Sequence, residues 1–513
     1  MRISLHFLPD YKNELTQYLG QATNQSINIS SFTSDWDGFD PILQVHNLTI
    51  GSVEKIHISR VSFHFSFIQS VLALQPKFDR ILIEKSELSV TQANTGHWEF
   101  LGFNSNDLNL DTEIEPSSNN NFYSVLSMFN GTTVNIKDFN ADIYNEKGKI
   151  RTLRLPTLNV NYSNDELFVS GQILQKLGDK ALLNFSLKGR GLLTSGVIKG
   201  VLYVEARSSE FFGGLLGVYN WNDISIQDIE GSTRAWINFE GTKIPSIYGD
   251  FQVSEMNWRA SEKSLPPIHN FAFSYLWQQS DSIKDIIIDN FGFELAGSKC
   301  EPIDLRVSIK ENNINVLADK VNISCVNQLA LSTDILTKGL QSRLSVSEPS
   351  GYLKNINLNV FTLASNQDST EEENTHFTFE AMLENININA YKTTPSVKNL
   401  DGYVFADNTS GFVSFLSDDF ELGFPTLFLD PWDIKRAEGL VSWLITSSDI
   451  SIYSDGLRLW REDSSLIYGD FFLKLNEQPH EDYLSLALGL QDVLFQDAVK
   501  FVPYYLISKD LYS

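Results

Sequence analysis

Residues 61–67, with the sequence VSFHFSF, alternate apolar and polar side chains and decide the fold class. The apolar members are Val61, Phe63, Phe65 and Phe67, and the polar members are Ser62, His64 and Ser66. Successive residues of a β-strand point to opposite sides of a sheet. The stretch therefore predicts a strand with one apolar face and one face in water.

The same alternation recurs along most of the chain. It precedes the stretch in SINISSF (26–32) and ILQVHNLTI (42–50), and follows it in FDRILIEKSELSVTQ (78–92), TVNIKDFNADIYN (133–145), FTFEAMLENININAY (377–391) and ISIYSDGLRLW (450–460). Turn residues separate such segments at intervals of roughly eight to fifteen residues. So many strands cannot form one flat layer. We therefore predict a mainly β fold, an elongated, curved antiparallel sheet that forms a trough.

Helical spacing is confined to short segments. Apolar residues near the N-terminus follow a helical face, which predicts a helix over roughly residues 9–19 between Pro9 and Gly20. FYSVLSMF (122–129) and DAVKFVPYYL (497–506) are two further candidates. The expected organisation is a helix at 1–20, a β module at 21–103, a polar loop at 104–121, a β-trough module at 122–364, an acidic loop at 365–375 and a central β-trough module at 376–513.

Composition excludes some partners. The 513 residues exceed the usual size of one globular core. The chain has 39 Lys and Arg residues and 64 Asp and Glu residues, which gives a net charge of −25. Nucleic acids and anionic membrane surfaces are bound by clustered Lys and Arg, so we expect no nucleic-acid partner. There is no run of eighteen apolar residues, which predicts no transmembrane helix within the sequence.

No motif for catalysis or for a cofactor stands out. Phosphate-binding and dinucleotide-binding glycine motifs are absent, and the eight histidines have no metal-ligand spacing. A polysaccharide-active enzyme on a β scaffold would need paired carboxylates across a cleft, and nothing indicates such a pair. We therefore predict a protein that is not an enzyme and that has no catalytic residues, metal site or cofactor.

The two cysteines, Cys300 and Cys325, flank a turn at 312–313. If the flanking segments pair as a hairpin, the cysteines lie opposite each other and could form a disulfide in an oxidising compartment. The alternative is two unpaired, buried thiols.

The aromatic strand face has two interpretations. It is the core of a layered protein, or it lines a continuous apolar trough. In the second case Phe63, Phe65 and Phe67 are candidate residues of a lipid groove.

Several motifs resemble those of the AsmA-like bacterial envelope proteins, specifically the YhdP branch. The N-terminal match rests on Trp36, Gly38, Phe39, Pro41, Leu43 and Val45, and a strand–turn element on Gly96 and Trp98. The central match rests on Gly402, Phe424, Pro425, Phe428, Pro431, Gly439 and Trp443. The resemblance spans most of the chain, although residues 104–370 match in strand pattern rather than in named motifs.

The resemblance implies a bridge-like lipid transfer protein of the periplasm. Such proteins are anchored in the inner membrane by one N-terminal helix and support phospholipid movement towards the outer membrane and its barrier. Phospholipid, the inner membrane and other envelope proteins are the implied partners. Family members are longer and carry an anchor before the LHFLP region, so we expect this chain to be an N-terminal to central portion without the anchor. The competing hypothesis is a structural or adhesive β protein with a filled core.

Overall fold

The computed structural model of the chain describes residues 16–17, 26–51, 56–74, 77–92, 98–100, 103–104, 130–145, 148–174, 181–191, 197–207, 224–241, 243–260, 263–280, 282–332, 336–362, 375–392, 394–428, 430–446, 449–476, 483–494 and 499–503. Strands hold 76% of these residues, which confirms the mainly β prediction. The chain forms two compact units: Met1–Leu216 with Glu230–Phe251, and Gly217–Ile229 with Gln252–Ser513.

The first unit is an open, curved sheet in which neighbouring strands are hydrogen-bonded. Its strands are β1 (Ile27–Asp37), β2 (Asp40–Ile50), β3 (Ile56–Phe65), β4 (Phe78–Gln92), β5 (Trp98–Phe100), β6 (Phe103–Asn104), β7 (Thr132–Asn145), β8 (Gly148–Ser163), β9 (Glu166–Ile173), β10 (Leu183–Arg190), β11 (Lys199–Ala206), β12 (Ile224–Glu240) and β13 (Lys243–Ala260); β12 and β13 contribute residues to both units. The described pairs are antiparallel except β4–β7, which is parallel. A hairpin turn at Gly38–Phe39 joins β1 to β2.

The second unit is built the same way, with each strand antiparallel to the next from β15 to β26. Its further strands are β14 (Lys263–Ser264), β15 (Ile268–Ser280), β16 (Ile283–Leu295), β17 (Ser298–Lys310), β18 (Asn313–Asn322), β19 (Ser350–Thr362), β20 (Thr375–Ile388), β21 (Ser396–Asp407), β22 (Ser410–Gly423), β23 (Trp432–Ile445), β24 (Asp449–Trp460), β25 (Leu466–Asn476) and β26 (Tyr483–Gln491). Alternation of apolar and polar residues explains why these segments form strands with one apolar face.

Helices are few. Within the described ranges they include α1 (Phe67–Ala73), α2 (Ile323–Ser332), α3 (Lys338–Ser347) and a 3-10 helix at Val499–Phe501. The 3-10 helix falls within the predicted helix 497–506. Thr16 and Gln17 are helical, which agrees with the predicted N-terminal helix, whereas its other residues lie outside the described part. The candidate helix 122–129 and the predicted loops also lie outside it, apart from Asn104 in β6 and Thr375 in β20.

The prediction that Phe67 belongs to a strand was wrong. Strand β3 ends at Phe65, and α1 begins at Phe67. The N–H of Phe67 donates to the carboxylate of Asp40 at 2.8 Å, and the N–H of Ser70 donates to the carbonyl of Ser66 at 2.9 Å. These bonds satisfy N–H groups at the start of a helix, which alternation alone does not reveal.

Within the described residues, no helix has both the length and the apolar character needed to cross a bilayer.

Residues with a left-handed backbone interrupt the interior of many strands. In the first unit they include Asn47 (β2), Lys85 (β4) and Asp138 (β7), and in the second Asn270 (β15), Asn290 (β16), Asn355 (β19), Asn385 (β20), Asn399 (β21), Asp419 (β22) and Gly456 (β24). Register shifts occur beside several of them. Such bulges bend a strand and increase its twist. They are a physical source of the curvature of these sheets.

Candidate functional site

The main feature of the second unit is a row of apolar residues that crosses its sheet. Residues that lie opposite each other on neighbouring strands share one face. Successive partners from β15 to β26 are Trp277, Ile286, Val307, Val316, Leu358, Phe379, Ala406, Gly411, Trp443, Ile452, Leu473 and Leu484. None of them is polar or charged. We call these residues the second-unit row, and the sheet face that carries them the apolar face.

The second-unit row is only partly covered. Gly411 is its one buried member, Leu484 is 47% exposed, and the remaining members are half-buried. On the same face, Ile450 and Leu486 are also exposed. A row packed beneath a second protein layer would be buried throughout. The apolar face therefore remains accessible along this row.

The opposite face of the same strands is largely polar from β15 to β21. Its corresponding partners are Gln278, Asp285, Ser308, Asn315, Asn359, Thr378 and Asp407. Side chains hydrogen-bond across the strands, as from Asn315 Nδ2 to Asn359 Oδ1 at 2.7 Å. This face is suited to water.

A polar network on that face illustrates its electrostatics. The hydroxyl of Tyr403 and the amide of Asn357 each donate to the Glu380 carboxylate at 2.7 Å. Both bonds hold the pKa of Glu380 below its usual range, with the Tyr403 bond the larger cause. The hydrogen bond to Glu380 in turn raises the pKa of Tyr403. The network thus favours an ionised Glu380 and a neutral phenol.

The first unit carries two apolar rows of its own. One row runs from β1 to β12 through Phe32, Val45, Val61, Ile83, Ile136, Leu158, Gly171, Phe185, Val204 and Ala235. The other runs from β2 to β12 through Leu43, Phe63, Ile81, Val134, Val160, Val169, Leu187, Leu202 and Ile237. The buried core of this unit includes Ile29, Phe32, Val45, Ile58, Val61 and Ile81.

The three phenylalanines singled out from the sequence have different positions. Phe63 lies in a first-unit row. Phe65 pairs with Phe78 beyond a register shift, and their ring centroids are 4.8 Å apart. Phe67 lies on α1 rather than on a strand. Phe63 is also 5.8 Å from Phe78, so Phe63 and Phe65 share one aromatic neighbour.

Glycines make room for large rings on the apolar faces. Gly411 lies opposite Trp443, and a Cβ built at Gly411 would overlap the indole ring. Gly171 holds the same relation to Phe185 in the first unit, with a Cβ only 2.9 Å from the ring. Lying over a glycine, each ring covers backbone on the apolar face. Single-sequence analysis missed this pairing, because only the register brings the residues together.

Local elements cover the apolar face of the second unit in two places. One cover is the turn at 424–428 with the 3-10 helix: Phe428 is 1% exposed, its ring centroid lies 4.8 Å from that of Trp432, and Trp432 lies 5.0 Å from Phe501. The other is α2, whose Cys325 and Leu329 pack with Phe293 and Leu295. Outside these covers the row stays partly exposed.

Cys300 and Cys325 form a disulfide, with Cα atoms 5.6 Å apart. Cys300 lies in β17, but Cys325 lies on α2, beyond the end of β18. The predicted hairpin is confirmed, since β17 and β18 pair. The bond joins a strand to a helix, however, so the predicted position of Cys325 on the strand opposite Cys300 was wrong. The amide of Gln328 on α2 also donates to Ser298 at 3.0 Å, so two links attach α2 to the start of β17.

Among the described residues, no three His, Cys, Asp or Glu side chains form a group that could hold a metal ion. The features that stand out there are extended apolar surfaces rather than a cluster of reactive groups.

An open, curved sheet with one largely apolar face has a β-groove-like architecture. The chain belongs to the YhdP protein family, whose model it matches over residues 1–513. It is 18% identical over 537 aligned residues to a protein of Escherichia coli strain K12 named "Intermembrane phospholipid transporter YhdP". That alignment covers 100% of this chain and 39% of the relative, so the chain spans about two fifths of the relative's length.

Proposed function

We propose that the chain binds phospholipid acyl chains along its apolar faces and takes part in phospholipid transfer between two membranes, without catalysis. The observation that carries the proposal is the second-unit row, which is apolar on every strand from β15 to β26 and is largely half-buried. Family membership and the name of the E. coli relative support the same function.

The energetics favour such a path. A phospholipid in water exposes about thirty CH₂ groups at ~0.8 kcal/mol each, so its release into water costs more than ~20 kcal/mol. A row crossing this many strands at ~4.8 Å spacing extends for about 50 Å. Acyl chains lying on it stay out of water, while the head group remains in solvent. Neither a catalytic group nor a cofactor is needed for this.

We propose the periplasm as the place of action, with inner and outer membranes as the source and the destination, and support of the outer-membrane barrier as the consequence. The disulfide favours an oxidising compartment. The name of the E. coli relative refers to transport between membranes. Anchoring to the inner membrane and contacts with envelope proteins are part of the same proposal.

Native mass spectrometry with lipid extraction tests the proposal on the chain purified from a bacterial periplasm. We expect more than one phospholipid per chain. Replacing Ile452 with Glu places a carboxylate in the second-unit row and should lower the number of phospholipids bound per chain. Replacing its neighbour Tyr453 with Glu is the matched control, since Tyr453 points to the other face and is 43% exposed.

A folded chain that carries no lipid would contradict the proposal and would favour the structural or adhesive alternative with a filled core. Equal lipid loss in the Ile452 and Tyr453 variants would also contradict it, because the apolar face would then have no special role. Circular dichroism of each variant separates lipid loss from unfolding.

A further inference from the structure

The four most exposed large apolar side chains of the described residues lie in one region of the first unit. Leu74 is 93% exposed, Phe39 83%, Leu72 80% and Ile68 69%. Val71, in the same segment, is 55% exposed. Phe39 lies in the β1–β2 turn, and the others lie on or directly after α1. We call Phe39 together with residues 67–74 the lip. Such concentrated exposure is unusual for a surface that meets only water.

Hydrogen bonds fix the lip to the sheet. The bond from the Phe67 N–H to Asp40, at 2.8 Å, joins α1 to the strand that follows the Phe39 turn. In the middle of α1, the Ser70 hydroxyl accepts from the N–H of Lys77, which directly precedes β4, at 2.9 Å. The N–H of Leu74, which has a left-handed backbone, closes the helix by donating to carbonyls of its last turn. The exposed residues thus have a defined position.

The lip carries no charge. Residues 67–74 read FIQSVLAL, without an acidic or basic side chain. The whole chain, by contrast, carries a net charge of −25. An acidic protein is repelled by an anionic surface, so a neutral apolar segment is best suited to a surface with no net charge.

The lip directly follows a strand that carries the apolar face of the first unit. Phe65, the last residue of β3, lies one residue before the N-cap of α1, and its ring contacts Phe78. Phe78 also contacts Phe63, which belongs to a first-unit row. Phe65 and Phe78 therefore lie between that row and the point along the chain where the lip begins.

We propose that the lip inserts into the interfacial region of a zwitterionic phospholipid bilayer, where lipid passes between the bilayer and the apolar face. The proposal rests on the proposed function, since a lipid path must meet a membrane. It adds the site of contact and the kind of lipid surface. Leucine, isoleucine and phenylalanine side chains of an interfacial helix enter the boundary between head groups and acyl chains.

A single fluorescent label tests insertion. Both cysteines of the chain are in the disulfide, so a cysteine introduced in place of Leu72 can be labelled selectively with an environment-sensitive dye. On adding phosphatidylcholine vesicles, we expect a blue shift of the dye emission. The matched control is Leu416→Cys in the second unit, on the face opposite the second-unit row, where Leu416 is 54% exposed. An unchanged Leu72 label, or equal shifts at both sites, would overturn the proposal.

Vesicle flotation gives an independent measurement. The double variant Leu72→Gln, Leu74→Asn removes apolar area, and Asn tolerates the left-handed backbone of Leu74. We expect its partition onto phosphatidylcholine vesicles to fall about tenfold or more. Leu416→Gln should float like the unmodified chain. With 30% phosphatidylglycerol, binding of the unmodified chain should weaken at low salt and recover at high salt, because salt screens the repulsion.

Measuring flotation and co-purified lipid together distinguishes failure of the lip proposal from failure of the proposed function. If the lip variant keeps its co-purified phospholipid but no longer floats, both proposals stand. If it floats unchanged, the lip proposal is overturned whatever its lipid content. Vesicle-free sedimentation showing a dimer that the lip substitutions abolish would assign the lip to a second copy, and would also overturn it.

Discussion

The backbone N–H of Asn385 in β20 donates to the carboxylate of Asp401 in β21, at 2.7 Å. Asn385 has a left-handed backbone, and its strand is locally out of register with β21. The carboxylate replaces the ladder partner that the bulge removes. Asn290 with Asp304, at 2.8 Å, and Gly456 with Asp470, at 2.7 Å, repeat the arrangement. Acidic side chains thus stabilise bulges across the second unit.

Replacing Asp401 with Ala should destabilise the second unit by ~1–2 kcal/mol, because the Asn385 N–H loses its acceptor. Asp401→Asn retains an acceptor oxygen and should cost less than half as much. Hydrogen exchange followed by mass spectrometry over residues 381–404 measures the change. If exchange in both variants equals that of the unmodified chain, the side-chain bond does not hold the bulge.

These bulges mark the limit of what alternation could predict. The strands and their apolar faces follow from a period of two, so the mainly β fold was predictable from segments such as 377–391. Segment 377–391 was predicted as an uninterrupted strand, yet Asn385 in its interior has a left-handed backbone, as Asn399 has inside β21. Asparagine tolerates a left-handed backbone, so isolated Asn within an alternating segment was the available signal.

The site was predictable only in part. Alternation assigned Phe63 to an apolar face, but the row it joins depends on register with β2 and β4, which the sequence does not specify. The helix α1 was missed because Ser66 and Phe67 continue the alternation, while the Asp40 bond that supports the helix start comes from 27 residues away in sequence. The helix α2 and its link to Cys300 likewise depend on contacts outside the hairpin.

Removing the disulfide should loosen α2. Cys300 and Cys325 are separated by 25 residues, so the cross-link is worth about 3 kcal/mol in the chain-entropy account. A reducing agent should lower the Tm of the unmodified chain and leave that of the Cys300→Ser, Cys325→Ser double variant unchanged. If reductant does not change the Tm of the unmodified chain, the bond does not contribute to its thermal stability.

The phenol of Tyr162 should lose its proton at a higher pH than an ordinary tyrosine does. Burial raises its pKa to about 12, with a further contribution from the charge of Asp165 and a hydrogen bond to it. An unfolded chain loses this proton near pH ~10. The folded state therefore retains the proton between these values, and stability falls as pH rises through that range. The Tyr162→Phe variant should lose this part of the fall.

The titration of Tyr162 can be followed by ultraviolet difference absorbance between the unmodified chain and Tyr162→Phe. Asp165→Asn is a useful second variant, because Asn suits the left-handed backbone of Asp165 and removes the charge. In Asp165→Asn the pKa of Tyr162 should fall only partway to the usual value, because burial is the larger cause of the raised pKa. A phenol that ionises near pH ~10 in the folded, unmodified chain would contradict this account.

The cover over the C-terminal part of the apolar face should depend on Phe428. Its ring is 1% exposed and packs between Phe424 and Trp432. Phe428→Ala should cost ~3–5 kcal/mol through the cavity it leaves. Phe428→Leu, which keeps most of the volume, should cost ~1.5 kcal/mol or less. Hydrogen exchange over residues 424–434 and 457–467 should rise in the alanine variant, because Leu459 and Ile467 belong to the same cluster.

Phe428→Ala also tests whether the turn at 424–428 is only a local cover or part of a core that stabilises the whole second unit. If the turn at 424–428 only covers one end of the apolar face, exchange in β15 to β18 should stay as in the unmodified chain, because the second-unit row continues beyond the cover and is held by its own ladder hydrogen bonds. A rise in exchange across all these strands would mean that the Phe428 cluster stabilises the whole unit. The filled-core alternative predicts that outcome, and the open-groove proposal predicts a local one.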